Sequence, residues 1–153
     1  MKNLELKIHP PVWVALFAVV GRLSALIPAG SGVLIPYRKS LIVLLVICAA
    51  AVMFAGLLAF AKARTTVNPK TPERSSTVVT RGIYQYTRNP MYLGFLFLLL
   101  AWALYLAHLI PLLLLPLFVY LLNRVQIIPE ERALEKTFGS HYRDYQQRVR
   151  RWL

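Results

Sequence analysis

Residues 91–123 form a run of thirty-three positions without a single Asp, Glu, Lys or Arg. A second uncharged run, residues 41–61, is twenty-one long. At 1.5 Å rise per residue, twenty-one helical residues reach about 32 Å, enough to cross a hydrocarbon core of roughly 30 Å. Thirty-three are too many for one straight span. His108 and Pro111 mark a tight turn and Pro116 a kink, so the long run is predicted to fold as a hairpin of helices near 90–108 and 110–127. Composition agrees: 58% of the 153 residues are apolar and 16% charged, against roughly 45–50% and about 25% in soluble domains. Disorder is excluded by the same figures.

A further span is expected near residues 12–29. It resembles a signal peptide, with small residues at 29–32, but Glu5 lies in its leading segment and Arg22 interrupts the apolar run. The expected fold is therefore all-α, a polytopic membrane protein of about four transmembrane helices in one domain, 1–153. Its spans fall near 12–29, 41–61, 90–108 and 110–127, followed by an amphipathic helical tail, 129–153.

Charge sets the orientation. Eighteen Lys and Arg against six acids give +12. Residues 62–91 carry Lys62, Arg64, Lys70, Arg74, Arg81 and Arg88 against Glu73, and the segment 124–153 carries seven basic residues against four acids. No Lys or Arg separates the last two spans. By the positive-inside rule the loop 62–89, the tail and both termini of this integral membrane protein face the cytoplasm; in a bacterium the membrane would be the inner one. The basic excess is then topology and contact with anionic headgroups, and nucleic acid is not an expected partner. No acid stands between Glu5 and Glu73 or between Glu73 and Glu130, which counts against a proton-coupled transporter. Cys48 is the single cysteine, and no Cys/His cluster offers a metal site.

Polar chemistry is concentrated at the cytoplasmic helix ends. In Thr80-Arg81-Gly82-Ile83-Tyr84-Gln85-Tyr86-Thr87-Arg88-Asn89-Pro90-Met91-Tyr92-Leu93-Gly94, Asn89 suits an N-cap and Pro90 the first helical position. Gly94 permits close helix contact. Arg88 beside a helix N-terminus also makes an anion pocket, so cap and anion site stand as equal readings. Farther on, Pro129 starts a helix with Glu130 and Glu131 in its first turn. Leu134 and Phe138 give it an apolar stripe for the membrane surface. Gly139 ends it and Ser140 is a candidate cap for the next helix, which carries Tyr142, Tyr145 and Val149 on one side.

Gly82-Ile83-Tyr84, Thr87-Arg88-Asn89-Pro90-Met91-Tyr92-Leu93-Gly94, Pro129-Glu130-Glu131 and Phe138-Gly139-x-x-Tyr142-x-x-Tyr145 together resemble the isoprenylcysteine carboxyl methyltransferase family and the related phospholipid methyltransferases. The resemblance covers about residues 60–153. Eukaryotic members carry Arg-His-Pro where this chain has Arg88-Asn89-Pro90. The resemblance implies an integral membrane enzyme using S-adenosyl-L-methionine. It places Tyr84, Arg88, Asn89, Tyr92, Leu93, Gly94, Glu130 and Glu131 around the cofactor and makes Glu131 and Arg88 the catalytic candidates. Of the two acids, Glu131 is expected to position the acceptor or take its proton, and Glu130 to hold a cofactor hydroxyl or a neighbouring Arg. A soluble dinucleotide-type route is absent: the GxG at residues 30–32 lacks a third glycine and a βαβ setting.

The expected activity is methyl transfer to a lipophilic or amphiphilic acceptor that enters from the bilayer. Two other readings compete: an NADPH-dependent membrane reductase of the steroid-reductase type, and a non-enzymatic scaffold or transport subunit. Topology is open to direct test. A reporter active only in the cytoplasm is expected to work when fused after Leu153 or inserted near Lys70, and to fail near Leu109. Activity at Leu109 would overturn the hairpin.

Overall fold

The structure is a computed structural model that describes residues 5–28, 32, 34–63 and 78–153. The regular elements among those residues are helices, with no strand. The helices are α1 (Pro10–Ser24), α2 (Arg38–Ala63), α3 (Pro90–Leu106), α4 (Leu109–Leu122), α5 (Ile128–Phe138) and α6 (Ser140–Arg148). A 3₁₀ turn, Gly82–Gln85, leads towards α3, and a π segment, Asn123–Ile127, joins α4 to α5. Most of the expected basic loop, residues 64–77, lies outside the described residues, as does most of the small-residue stretch at 29–32.

Two helices are long and apolar enough to cross a membrane: Arg38–Ala63 and the continuous Leu109–Phe138. The other two expected spans are shorter apolar helices in the structure. Pro10–Ser24 and Pro90–Leu106 are apolar but have 15 and 17 residues, so they reach only about 22 and about 26 Å. In α1 the Ser24 hydroxyl bonds back to the Gly21 carbonyl at 2.9 Å, and turns replace the helix before residue 29. At the other site Ala107 turns left-handed, φ 49°, and stops α3.

The expected hairpin forms at that stop. His108 caps α4: its Nδ1 accepts from the Ile110 amide at 3.2 Å, which leaves Nε2 as the donor to the Ile27 carbonyl at 3.0 Å. Pro116 is held within α4. Pro129 stands in the first turn of α5 as expected, and the π segment ahead of it lets α4 and α5 run on as one continuous helix, Leu109–Phe138. Having no N–H, Pro129 frees the Val125 carbonyl, which accepts from the Leu6 amide at 3.0 Å. The N-terminal segment is thereby tied to the end of the long helix, with Glu5 also pairing with Arg132 at 3.0 Å.

Packing builds two clusters. Phe17, Tyr92, Leu99, Phe118, Leu122 and Ile127 form the larger, where α1, α3 and the long helix meet, with Phe17 and Phe118 in edge contact at 5.2 Å. The smaller is Tyr84, Tyr142 and Tyr145. Leu134 and Phe138 pack against this tyrosine cluster along with Ala59 and Phe60 of α2. That corrects the reading of their stripe as a membrane-surface face: a neighbouring apolar cluster within the protein claims it first.

The contact of α2 with α3 rests on small residues. Ala49 and Gly56 are the buried positions of α2, and Gly94 of α3 faces Met53 and the Ala49 carbonyl. A Cβ on Gly94 would clash with the Met53 side chain and stand 3.2 Å from the Ala49 oxygen. Gly94→Ala is therefore expected to destabilise the detergent-purified protein by about 1–3 kcal/mol, and Met53→Ala in the same chain to restore part of the loss. Equal melting temperatures for wild type and Gly94→Ala would contradict this packing.

Candidate active site

The site gathers where the N-terminus of α3, the first turn of α5 and the last residues of the chain converge. Pro90 starts α3 as expected, and Asn89 occupies the cap position. Its side chain does not cap, however. Asn89 Nδ2 donates to the Arg151 carbonyl at 2.9 Å, and Thr87 Oγ1 donates to the same oxygen at 3.3 Å. The Arg88 amide donates to the Arg150 carbonyl at 3.0 Å. Residues 149–153, expected only as a basic continuation of the tail, thus form a strap across the segment that carries Arg88.

Beneath the strap lies Glu131, 7% exposed. Arg151 grips its carboxylate through Nε to Oε1 at 3.0 Å and Nη2 to Oε2 at 2.6 Å. Arg88 approaches from the other side, Nη1 to Oε1 at 3.2 Å, with both side chains of this pair 10% exposed. Two guanidiniums around one carboxylate leave the centre positive, and burial makes that charge costly unless further partners satisfy it. The pairing is incomplete. Arg88 Nη1 is close to Glu131 but off the hydrogen-bond direction, and both its Nε and its Nη1 are buried without an acceptor.

Glu130 points into a different environment. Tyr92 donates its hydroxyl to Glu130 Oε1 at 2.6 Å, and Gln126 Nε2 donates to the same oxygen. Among the described residues no cation pairs with it. The Gln126 amide oxygen is buried with no donor. The division expected for the two acids is reversed on one point: the neighbouring Arg is held by Glu131 and not by Glu130. Glu135, one turn on, is at the surface and pairs loosely with Arg143 at 3.6 Å.

The remaining candidates divide. Tyr84 is buried in the tyrosine cluster; its ring meets Phe60 edge-on at 5.4 Å and its carbonyl accepts from the Tyr145 hydroxyl at 2.7 Å. Leu93 and Gly94 are buried in α3, and Gly94 faces α2. The structure therefore brings Arg88, Asn89, Tyr92, Glu130 and Glu131 together and sets Gly94 in the helix contact. Burial, with the Glu131 carboxylate adding to it and Arg88 opposing, pushes the Tyr142 phenol up to about 12. Burial likewise raises Tyr84 and Tyr145. All three remain neutral at physiological pH and act as hydrogen-bonding and packing groups. Hydrogen bonding to Glu131 raises Arg151 above its ordinary value, so it stays a cation.

Arg151, Gln126 and Thr87 are the site residues that sequence reasoning missed. Gln126 had a readable signal, a polar side chain closing an apolar helix four residues before Glu130. Arg151 had none, because its contacts lie 20 and more residues away in sequence.

A family model described as phospholipid methyltransferase matches residues 37–141. The matched stretch takes in α2 through α5, including Arg88, Asn89, Tyr92, Glu130 and Glu131, and stops before the strap. A protein of Haemophilus influenzae described as uncharacterized is 48% identical over 63 residues, which is 41% of this chain and 100% of that one. No solved structure matches.

Proposed function

We propose that this chain, which belongs to the phospholipid methyltransferase family, transfers the methyl group of S-adenosyl-L-methionine to a lipophilic or amphiphilic acceptor at the cytoplasmic membrane face. Membership implies a membrane methyltransferase; the cofactor, acceptor class and face are this reading's own. The observation that carries it is a set of unfilled polar positions around a buried ion pair. Arg88 Nε and Nη1 lack an acceptor, and the Gln126 oxygen lacks a donor. A ligand that carries a carboxylate together with ammonium or hydroxyl donors would satisfy both. S-adenosyl-L-methionine has that chemistry, so the residues fit it.

When bound, the cofactor supplies a methyl group already activated on a sulfonium, and the chain's task is to bind, orient and exclude water. Arg88 would hold the carboxylate end. Glu131 aims Arg88 and compensates its buried charge. Glu130, fixed by Tyr92 and Gln126, would hold the ligand's cationic or hydroxyl donors and could accept a proton from an acceptor that loses one. Asn89 and Thr87 fasten the strap over this pocket. Leu93 and Gly94 build the α3 wall behind it, and Tyr84 the aromatic cluster beside it. The acceptor would enter laterally from the bilayer.

Transfer of labelled methyl from the cofactor into a membrane lipid extract tests the activity. Arg88→Ala is expected to weaken equilibrium binding of S-adenosylhomocysteine by about 1.5–3 kcal/mol, the range for a charge-assisted contact. Glu130→Gln and Glu131→Gln are expected to stay folded and lose most turnover, whereas Glu135→Gln, which breaks only an exposed pair, stays active. Three equally active Glu→Gln proteins would overturn the catalytic site.

A further inference from the structure

We propose that Arg151 is a positioning residue: by taking both Glu131 oxygens it limits that carboxylate to a single out-of-line contact with Arg88 and keeps the Arg88 donors that lack an acceptor open for an anionic ligand. The inference rests on the reading of Arg88 as the cofactor-carboxylate site. Its starting point is an asymmetry between two cations that share one acid. Arg151 takes both Glu131 oxygens in a forked grip, at 3.0 and 2.6 Å, whereas Arg88 reaches a single oxygen, at 3.2 Å and out of line. A forked guanidinium–carboxylate pair is the stronger arrangement. Without Arg151, Glu131 would turn to Arg88, the other cation within ion-pair distance of it among the described residues, and fill the donors now vacant.

The fold fixes Arg151 where this competition needs it. Its carbonyl is held by Asn89 and Thr87, the residues flanking Arg88, so the competing guanidinium is referenced to the group it protects. The strap is pinned on both sides. Val149 packs in the tyrosine cluster; Trp152 packs against the larger core and donates its indole N–H to Asn123 Oδ1 at 3.1 Å. Asn89, placed at a helix start but not capping it, has this as its function.

The test uses the full-length protein in detergent, with and without S-adenosylhomocysteine. In ligand-free protein labelled with [15N]arginine, the Arg88 Nε resonance, assigned by its disappearance in Arg88→Lys, is expected to move in Arg151→Gln as Glu131 closes on it. It is expected to return in the double variant Arg151→Gln/Glu131→Gln. Arg151→Lys, which keeps the charge but cannot fork, should give an intermediate position. Binding should follow the same order: about tenfold weaker for Arg151→Gln, and partly restored in the double variant, which still lacks the Glu131 charge that aims Arg88. A strap that merely folds the tail would give a double variant no tighter than Arg151→Gln, and that result overturns the assignment. An unmoved Arg88 resonance overturns it too. Should wild type not bind the probe, or Arg88→Ala bind as tightly as wild type, the cofactor reading fails and the resonance alone decides the role of Arg151.

Discussion

A carboxylate buried at the end of an apolar helix is costly unless cations reach it, and breaking one side of such a pair typically costs about 3–5 kcal/mol. Glu131 is that carboxylate here. It is reached by Arg88 from the start of α3 and by Arg151 from the strap. Three stretches of chain far apart in sequence are thereby held at one point. The polar bonds of Asn89, Thr87 and the Arg88 amide to the strap backbone follow from that convergence, and so do the buried Arg88 donors that lack an acceptor.

The π segment makes the convergence possible. An extra residue in the turn, Asn123–Ile127, lets the long helix pass Pro129 without breaking and keeps Gln126 and Glu130 in contact. The same segment releases the Val125 carbonyl to the N-terminal residues and offers Asn123 to Trp152. Local departure from α-geometry here serves several long-range contacts at once, as is common for π-bulges at functional sites. On the membrane side the requirement is different. Ala49, Gly56 and Gly94 are small so that α2 and α3 can close on each other, and the larger apolar residues of α2 face outward.

Much of this was legible from residues whose effect is local. Pro90 at a helix start, His108 at a turn and Gly139, with φ 57°, at a helix end each carry their conformational instruction in their own covalent structure. So does the uncharged run that became α3 and α4. Contact partners were less accessible. Asn89 has one amide that can cap a helix or bind a distant carbonyl, and only the arrival of the strap decides between them. Leu134 and Phe138 form a stripe that suits a membrane or a protein cluster equally well. Arg151 reads as one of several tail cations until Glu131 is seen beneath it. Arg88, Glu130 and Glu131 stand out in the sequence because acids and helix starts are scarce in so apolar a chain, whereas which acid holds the arginine is read only from the structure.

The central claim is that the cofactor binds at the junction of the α3 start, the π segment with α5, and the strap. Direct photolabelling with tritiated S-adenosyl-L-methionine, followed by peptide mapping, tests it most directly. Label is expected in peptides containing residues 84–94, 123–131 or 149–153, and should be displaced by unlabelled S-adenosylhomocysteine. Displaceable label confined to the opposite side of the molecule, such as the shallow depression lined by Leu34, Tyr37 and Arg38, would contradict the site, and so would the absence of any displaceable label.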